Sequence, residues 1–106
     1  MAGAKIVVLY PRPGDVDEFE RAYTQEHVPM VDAEQMPGLI KFVATKFVGT
    51  ATGEAPPFHR MAELHFSSLQ ALQECAQTEG AQKAVQHAVK ISTGGPPVFM
   101  VAVEET

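Results

Sequence analysis

The sequence predicts an α+β domain of the ferredoxin-like βαββαβ type, with a four-stranded antiparallel sheet carrying both helices on one face. Three observations predict it. Four short apolar runs and two amphipathic helical stretches follow one another in the order β, α, β, β, α, β. Clusters of Pro, Gly and Thr punctuate them. The 106 residues, 45% of them hydrophobic, suffice for one ordinary domain with a real core, so 1–106 is read as a single unit.

Each element has its own signal. Strand one, 5–10 (KIVVLY), is rich in β-branched residues and stops at Pro11-Arg12-Pro13-Gly14. Asp15 then caps a helix, with Glu18 three residues on completing a capping-box pattern. Val16, Phe19, Tyr23, His27 and Met30 recur at spacings of three and four and form its inner face. Pro29 disfavours helix at Val28, so this helix kinks or ends near His27. Pro37-Gly38 turns the chain into strand two, 39–48, and a loop over 49–57 leads to strand three, 58–66. Ser67 reads as the N-cap of the next helix, whose inner face carries Leu69, Leu72 and Cys75. Thr78-Glu79-Gly80 interrupts that helix, and a second piece turns Ala81, Ala84, Val85, Ala88 and Val89 inward. A break over 93–97 precedes the last strand, 98–103.

These strands are apolar on both sides. Strand one offers Ile6 and Val8 to one face, Val7 and Leu9 to the other. Strand four offers Val98, Met100 and Ala102 against Phe99, Val101 and Val103. Two helices cover one face only, and a sheet facing water on the other should alternate with polar residues. A large uncovered apolar face marks an interaction surface. The expectation is a homodimer packed sheet on sheet, closing around an apolar cavity that holds a small apolar molecule.

Composition removes other partners. Net charge is −5, and the eight Lys and Arg residues are scattered without a basic stripe, which disfavours nucleic acid. The first apolar run, about six residues long, is too short for a leader's core or a membrane span. Cys75 has no second cysteine to pair with, which fits a reducing, cytoplasmic compartment, and it reads as an inert core thiol.

The ordered set Tyr10-x-Arg12-Pro13, Phe19-x-x-x-Tyr23-x-x-x-His27-x-Pro29, Pro37-Gly38 and Ala62-Glu63-Leu64-x-Phe66-x-Ser68 resembles the EthD family. That family is named for a component of ethyl tert-butyl ether degradation clusters. The resemblance spans nearly the whole chain and implies the dimeric α+β barrel. The superfamily includes cofactor-independent cyclases, dehydratases, isomerases and monooxygenases acting on small apolar or polyketide-like molecules. EthD-like sequences carry an aromatic residue where His65 stands, and an Asp in the last helix near His87. The second exchange removes a carboxylate able to partner a histidine.

Several side chains bear chemistry. His27 lies on the inner face of the first helix and matches the family's His-x-Pro. It is either a proton-transfer group facing the cavity or a packed histidine bonded to the helix's last carbonyls. His59, Met61, Glu63 and His65 alternate onto one face of strand three, with Glu63 and His65 about 7 Å apart by strand rise. Glu63 and His65 form an acid–base pair beside His27, or else Glu63 ties structurally to Arg60 or Lys41. His59 and Met61 then line the ligand. Tyr10 and Tyr23 either hydrogen-bond a ligand oxygen or serve as core aromatics. His87 groups with Lys83, Gln86 and Lys90 on a polar, solvent-exposed side. No metal-ligand spacing occurs, since His59 and His65 stand about 20 Å apart on an extended strand, and no glycine-rich loop opens a helix. Neither a metal nor any other cofactor is implied.

The sequence thus points to a cofactor-independent enzyme performing cyclisation, dehydration or isomerisation on a small apolar carbonyl or phenolic compound. His27, Glu63 and His65 are its candidate catalytic residues. The alternative is a non-catalytic binding or accessory protein of a degradation or biosynthesis pathway. An oxygen-using monooxygenase is disfavoured, because the chain has no Trp.

Overall fold

The computed structural model describes residues 3–105; Met1 and Ala2, on which the expectation about a leader partly rests, and Thr106 lie outside them. The elements are β1 (Ala4–Pro11), α1 (Val16–Arg21), β2 (Lys41–Lys46), β3 (Phe58–Phe66), α2 (Leu69–Ala76), α3 (Glu79–Ile91) and β4 (Val98–Val103). Every strand pairing is antiparallel, in the order β2-β3-β1-β4. This is the ferredoxin-like α+β fold.

The caps follow the sequence closely. Asp15 accepts from the Glu18 N–H, and Thr78 accepts from the Ala81 N–H at the start of α3. Ser68, not Ser67, caps α2 by accepting from the Ala71 N–H. Phe66 stays in the sheet and is buried, so the corner needs one more residue. Each such cap stabilises its helix by about 1 kcal/mol. Strand two is shorter than expected. Ile40 and Phe47 each keep one bond to β3, but Leu39 closes a turn on Met36 and Val48 has left the sheet.

α1 does not stop at Arg21. It widens into a π-helical segment, Ala22–His27, and tightens into a 3₁₀ turn, Val28–Met30, around Pro29. The Val28 N–H reaches back to the Tyr23 carbonyl, five residues away. Phe19, Tyr23 and His27 therefore line up along one buried edge. The Phe19 ring packs on Tyr23 and edge-on to Tyr10 of β1. Burying each such aromatic removes 150–250 Å² from water, an upper bound of about 4–6 kcal/mol apiece. This cluster fixes the helix on the sheet.

The inner face of the sheet carries Val8, Ala62, Leu64 and Phe66 against the helices. α3 meets it with Ala81, Ala84, Ala88 and Ile91. Val85 and Val89, expected inside, are 45% and 51% exposed, and Leu69 of α2 is 39% exposed. One residue step along a helix is a rotation of about 100°, which swings Val85 and Val89 past the alanine face.

The opposite face is mixed rather than wholly apolar. The pairing register puts Lys5 beside His65 and Ala102, Val7 beside Glu63 and Met100, and Leu9 beside Met61 and Val98. One end of this open face is charged; the rest is apolar. No helix among the described residues is long and apolar enough to cross a membrane.

Candidate active site

The cavity arises from the alanines of α3. Ala81, Ala84 and Ala88 are too short to fill the space between helix and sheet, leaving a cavity of about 80 Å³. Its floor is Ile6, Val8, Ala62 and Leu64 of the sheet. Among the described residues, Tyr10 and His27 are the only walls with polar side chains. Val85 and Phe99, the latter 39% exposed, stand at its open side. This cavity lies within the chain, between sheet and helices, and not on the open face of the sheet.

His27 is buried, and both ring nitrogens have partners. Nε2 lies 3.3 Å from the Tyr10 hydroxyl. Nδ1 lies 3.0 Å from Nδ1 of His87, whose own Nε2 is 3.4 Å from Oε1 of Glu26. The two imidazoles are within 8° of parallel with centroids 5.2 Å apart. One 3.0 Å contact plus a ring radius on each side accounts for that separation, so the rings lie edge to edge. Burial, with His87 adding to it, holds the His27 pKa down to about 4. His27 is therefore neutral at neutral pH, a base rather than an acid. Burial also pushes the Tyr10 hydroxyl well above the usual phenol range, which keeps it a neutral donor.

His87 was expected on the solvent side. It is instead largely buried against His27, its side chain 15% exposed. The signal was the resemblance itself: His87 stands near the family's Asp, and the structure puts it where such a residue would touch His27. Glu26, which sequence reasoning missed altogether, restores a carboxylate one step further out. Its carboxyl is held below the ordinary range, chiefly by Arg21 and then by His87.

The sheet separates the other expected residues from this site. Glu63 and His65 project onto the open face. Glu63 bonds Lys5 at 3.0 Å, not Arg60 or Lys41, and lies 3.7 Å from His65. Because they have the opposite strand parity to Ala62 and Leu64, the expected grouping of His27, Glu63 and His65 does not form. Met61 shares that open face. His59 does not. A bulge, where Tyr10 faces Arg60 but Pro11 faces Phe58, turns both His59 and Arg60 to the helix side. There Glu20 holds His59 at 3.1 Å and Arg60 at 2.7 Å. The Arg60 bonds, followed by His59, hold the Glu20 pKa down to about 2. Tyr23 is fully buried between Phe19 and His27 with Arg60 over its ring, and it does not wall the cavity. Its hydroxyl has no hydrogen-bond partner among the described residues. Cys75 is buried with its pKa raised by desolvation.

The EthD domain family model matches residues 12–90. The chain belongs to the EthD family. An uncharacterised 11.0 kDa protein from the thcB–thcC intergenic region of Rhodococcus erythropolis is 32% identical to this EthD chain, covering 95% of it and 93% of the relative. The crystal structure of an EthD family protein from Bacillus halodurans superposes with a TM-score of 0.86 at 28% identity, covering 98% of this chain and 99% of the other. A dimeric ferredoxin-like protein of unknown function from Jannaschia superposes with a TM-score of 0.67 at 18% identity, covering 96% and 98%. At that identity it speaks for the fold alone.

Proposed function

We propose that this EthD protein is a cofactor-independent enzyme that moves protons on a small, mostly apolar carbonyl or phenolic compound, in a cyclisation, dehydration or isomerisation. One observation carries the reading. An otherwise apolar cavity presents a neutral imidazole and a neutral phenol side by side. His27 takes or returns the proton at Nε2 by way of the Tyr10 hydroxyl, whose oxygen accepts a hydrogen bond from the ligand. The low proton affinity of His27 makes it a mild base, suited to protons already acidified by a neighbouring carbonyl. Glu63 and His65 have no part in this chemistry. The cavity is smaller than the roughly 150 Å³ of an apolar void that takes benzene, so such a ligand extends past Val85 and Phe99.

We also propose that the protein works as a homodimer, the open face of one sheet packing on that of a second copy. The apolar stretch around Val7, Leu9, Met61 and Met100 supports this.

A panel of apolar phenols and ketones, screened for binding and turnover with wild type and His27→Asn, tests the enzymatic reading. Turnover lost in the variant with binding retained is the expected result. Binding without turnover in either protein overturns it in favour of a binding or accessory role. Equal turnover in both removes His27 from the mechanism.

A further inference from the structure

We propose that Tyr10, His27, His87 and Glu26 form a proton relay that connects the buried cavity to the protein surface, with Glu26 as its outer terminus. This deepens the proton-transfer reading and rests on it for its biological use, but the relay itself is a property of the chain without ligand.

The partners dictate where the hydrogens sit. Glu26 at neutral pH is a carboxylate and accepts only. Its neighbour, His87 Nε2, therefore carries a hydrogen. With its one hydrogen on Nε2, His87 leaves Nδ1 bare, and Nδ1 accepts from His27. His27 must carry its hydrogen on Nδ1, leaving Nε2 bare to accept from the Tyr10 hydroxyl. Each link fixes the next, and reversing any one puts two donors or two lone pairs face to face. The middle link, at 3.0 Å, is the shortest; the outer links, 3.3 and 3.4 Å, are of the length that tightens when a ligand closes a site.

The ends differ as a relay requires. Tyr10 is fully buried on the cavity wall, whereas the Glu26 side chain is 43% exposed. Arg21 holds Glu26 in place at 2.7 Å. The other groups around His27 are accounted for. Tyr23 stacks on its face and is pushed up to about 12 by burial. On α3, Lys83 is tied to Glu79 rather than turned on the site.

The step balances. A ligand proton passes to the Tyr10 oxygen while the Tyr10 hydrogen moves to His27 Nε2. The His27 Nδ1 hydrogen moves to His87 Nδ1, leaving His87 an imidazolium whose Nε2 hydrogen faces the Glu26 carboxylate. The ligand is left as the anion. Running the shift backward restores both tautomers and returns one proton to the ligand. The chain thus stores a proton and gives it back, as an isomerisation needs, without placing a positive charge on buried His27.

Nitrogen NMR of histidine-labelled protein at neutral pH, with no ligand added, tests the relay. Wild type is expected to show His27 protonated at Nδ1 and His87 at Nε2. Glu26→Leu, at a half-exposed position, removes the terminal acceptor and is expected to redistribute the His87 hydrogen between its nitrogens and to loosen the His27 tautomer with it. Arg21→Ala, which keeps the carboxylate, is expected to leave both tautomers as in wild type. A His27 hydrogen on Nε2 in wild type, or tautomers indifferent to Glu26→Leu, overturns the relay even if turnover is found. Absence of turnover with these tautomers in place overturns the enzymatic reading and leaves the relay standing.

Discussion

His27 and His87 share a single hydrogen between Nδ1 atoms 3.0 Å apart, and two positive charges cannot be held at that separation. Burial, and after it the adjacent His87, make the native state resist protonating His27 until the pH nears 4, whereas an unfolded histidine protonates near 6.5. Below 6.5 the unfolded chain binds more protons, so stability present at neutral pH is lost as pH falls from about 6.5 to about 4. The shift corresponds to about 3 kcal/mol. Urea unfolding at pH 7.5 and 4.5 checks this. Wild type is expected to lose about 2–3 kcal/mol between the two, with that part of the loss absent in His27→Gln. A wild-type stability flat across this window would sink the prediction.

Glu20 supplies a second acid-sensitive contact, in a lower window. Its folded pKa of about 2 lies below the ordinary 4.5, so its contribution is full above 4.5 and lost as pH falls towards 2. The side chains it holds, His59 and Arg60, are only 7% and 13% exposed. Glu20→Gln leaves Arg60 without its counter-charge and is expected to cost about 3 kcal/mol at pH 7. Glu79→Gln, which breaks the solvated Lys83 pair, is expected to cost under about 0.5 kcal/mol. Denaturation midpoints of the two variants compare them directly.

The different legibility of these two contacts is instructive. β1, β3 and β4 are readable because a strand's side chains alternate with a fixed period, so residue order alone places Ile6 opposite in sense to Val7. The same parity rule misplaces His59. A one-residue bulge inverts the face of everything beyond it, and no residue type in 58–61 announces it. The face of β3 carrying Glu63 and His65 is legible, but which face receives His27 depends on how α1 packs. Charge is a poor guide to α3: Lys83 and Lys90 suggest a wet side at His87, yet helical spacing puts His87 next to Ala84 and Ala88 and towards α1. The alanine face that leaves the cavity open is plain in the sequence once small residues are read as missing volume.

Two glycines sit where backbone approaches backbone. A Cβ on Gly80 would stand 2.0 Å from the Gln35 carbonyl oxygen, and one on Gly94 would stand 2.0 Å from that of Arg12. Neither carbonyl can move without shifting its chain. Gly80→Ala and Gly94→Ala are each expected to destabilise by about 1–3 kcal/mol or more. Gly14 and Gly49 have open space around the same position and no positive φ. Alanine there is expected to be neutral or to stabilise by up to about 1 kcal/mol. Thermal melts of the four variants order them.

Filling the cavity separates ligand binding from proton chemistry. Ala84 walls the cavity and is nearly buried, so Ala84→Leu pushes three carbons into the void while leaving the Tyr10 and His27 side chains in place. Void space that becomes packed removes a cavity penalty, so the variant is expected to match or exceed wild-type stability by up to about 1 kcal/mol. Its affinity for any phenol or ketone that binds wild type is expected to fall at least tenfold, or about 1.4 kcal/mol. Titration calorimetry of both proteins decides it. Unchanged affinity would place the ligand elsewhere.

The open face of the sheet carries the last prediction. Its register sets Val7 between Glu63 and Met100, and Leu9 between Met61 and Val98, with Lys5 and His65 at one end. Val98 and Met100 are 40% and 44% exposed in the single chain. A second copy packed there buries this apolar stretch, with the same residues contributed by both copies under twofold symmetry. The 11.5 kDa chain is then expected to sediment at twice its mass at micromolar concentration. Met100→Lys, on the edge strand, leaves the folded protomer intact because the site faces away from the helices, but it buries an unpaired ammonium in the interface, which costs several kcal/mol. That variant is expected to sediment as a monomer, while Gln82→Lys, exposed on the outer side of α3, remains dimeric. A wild-type protein that stays monomeric throughout that range would remove the homodimer, and with it the need for the apolar half of this face.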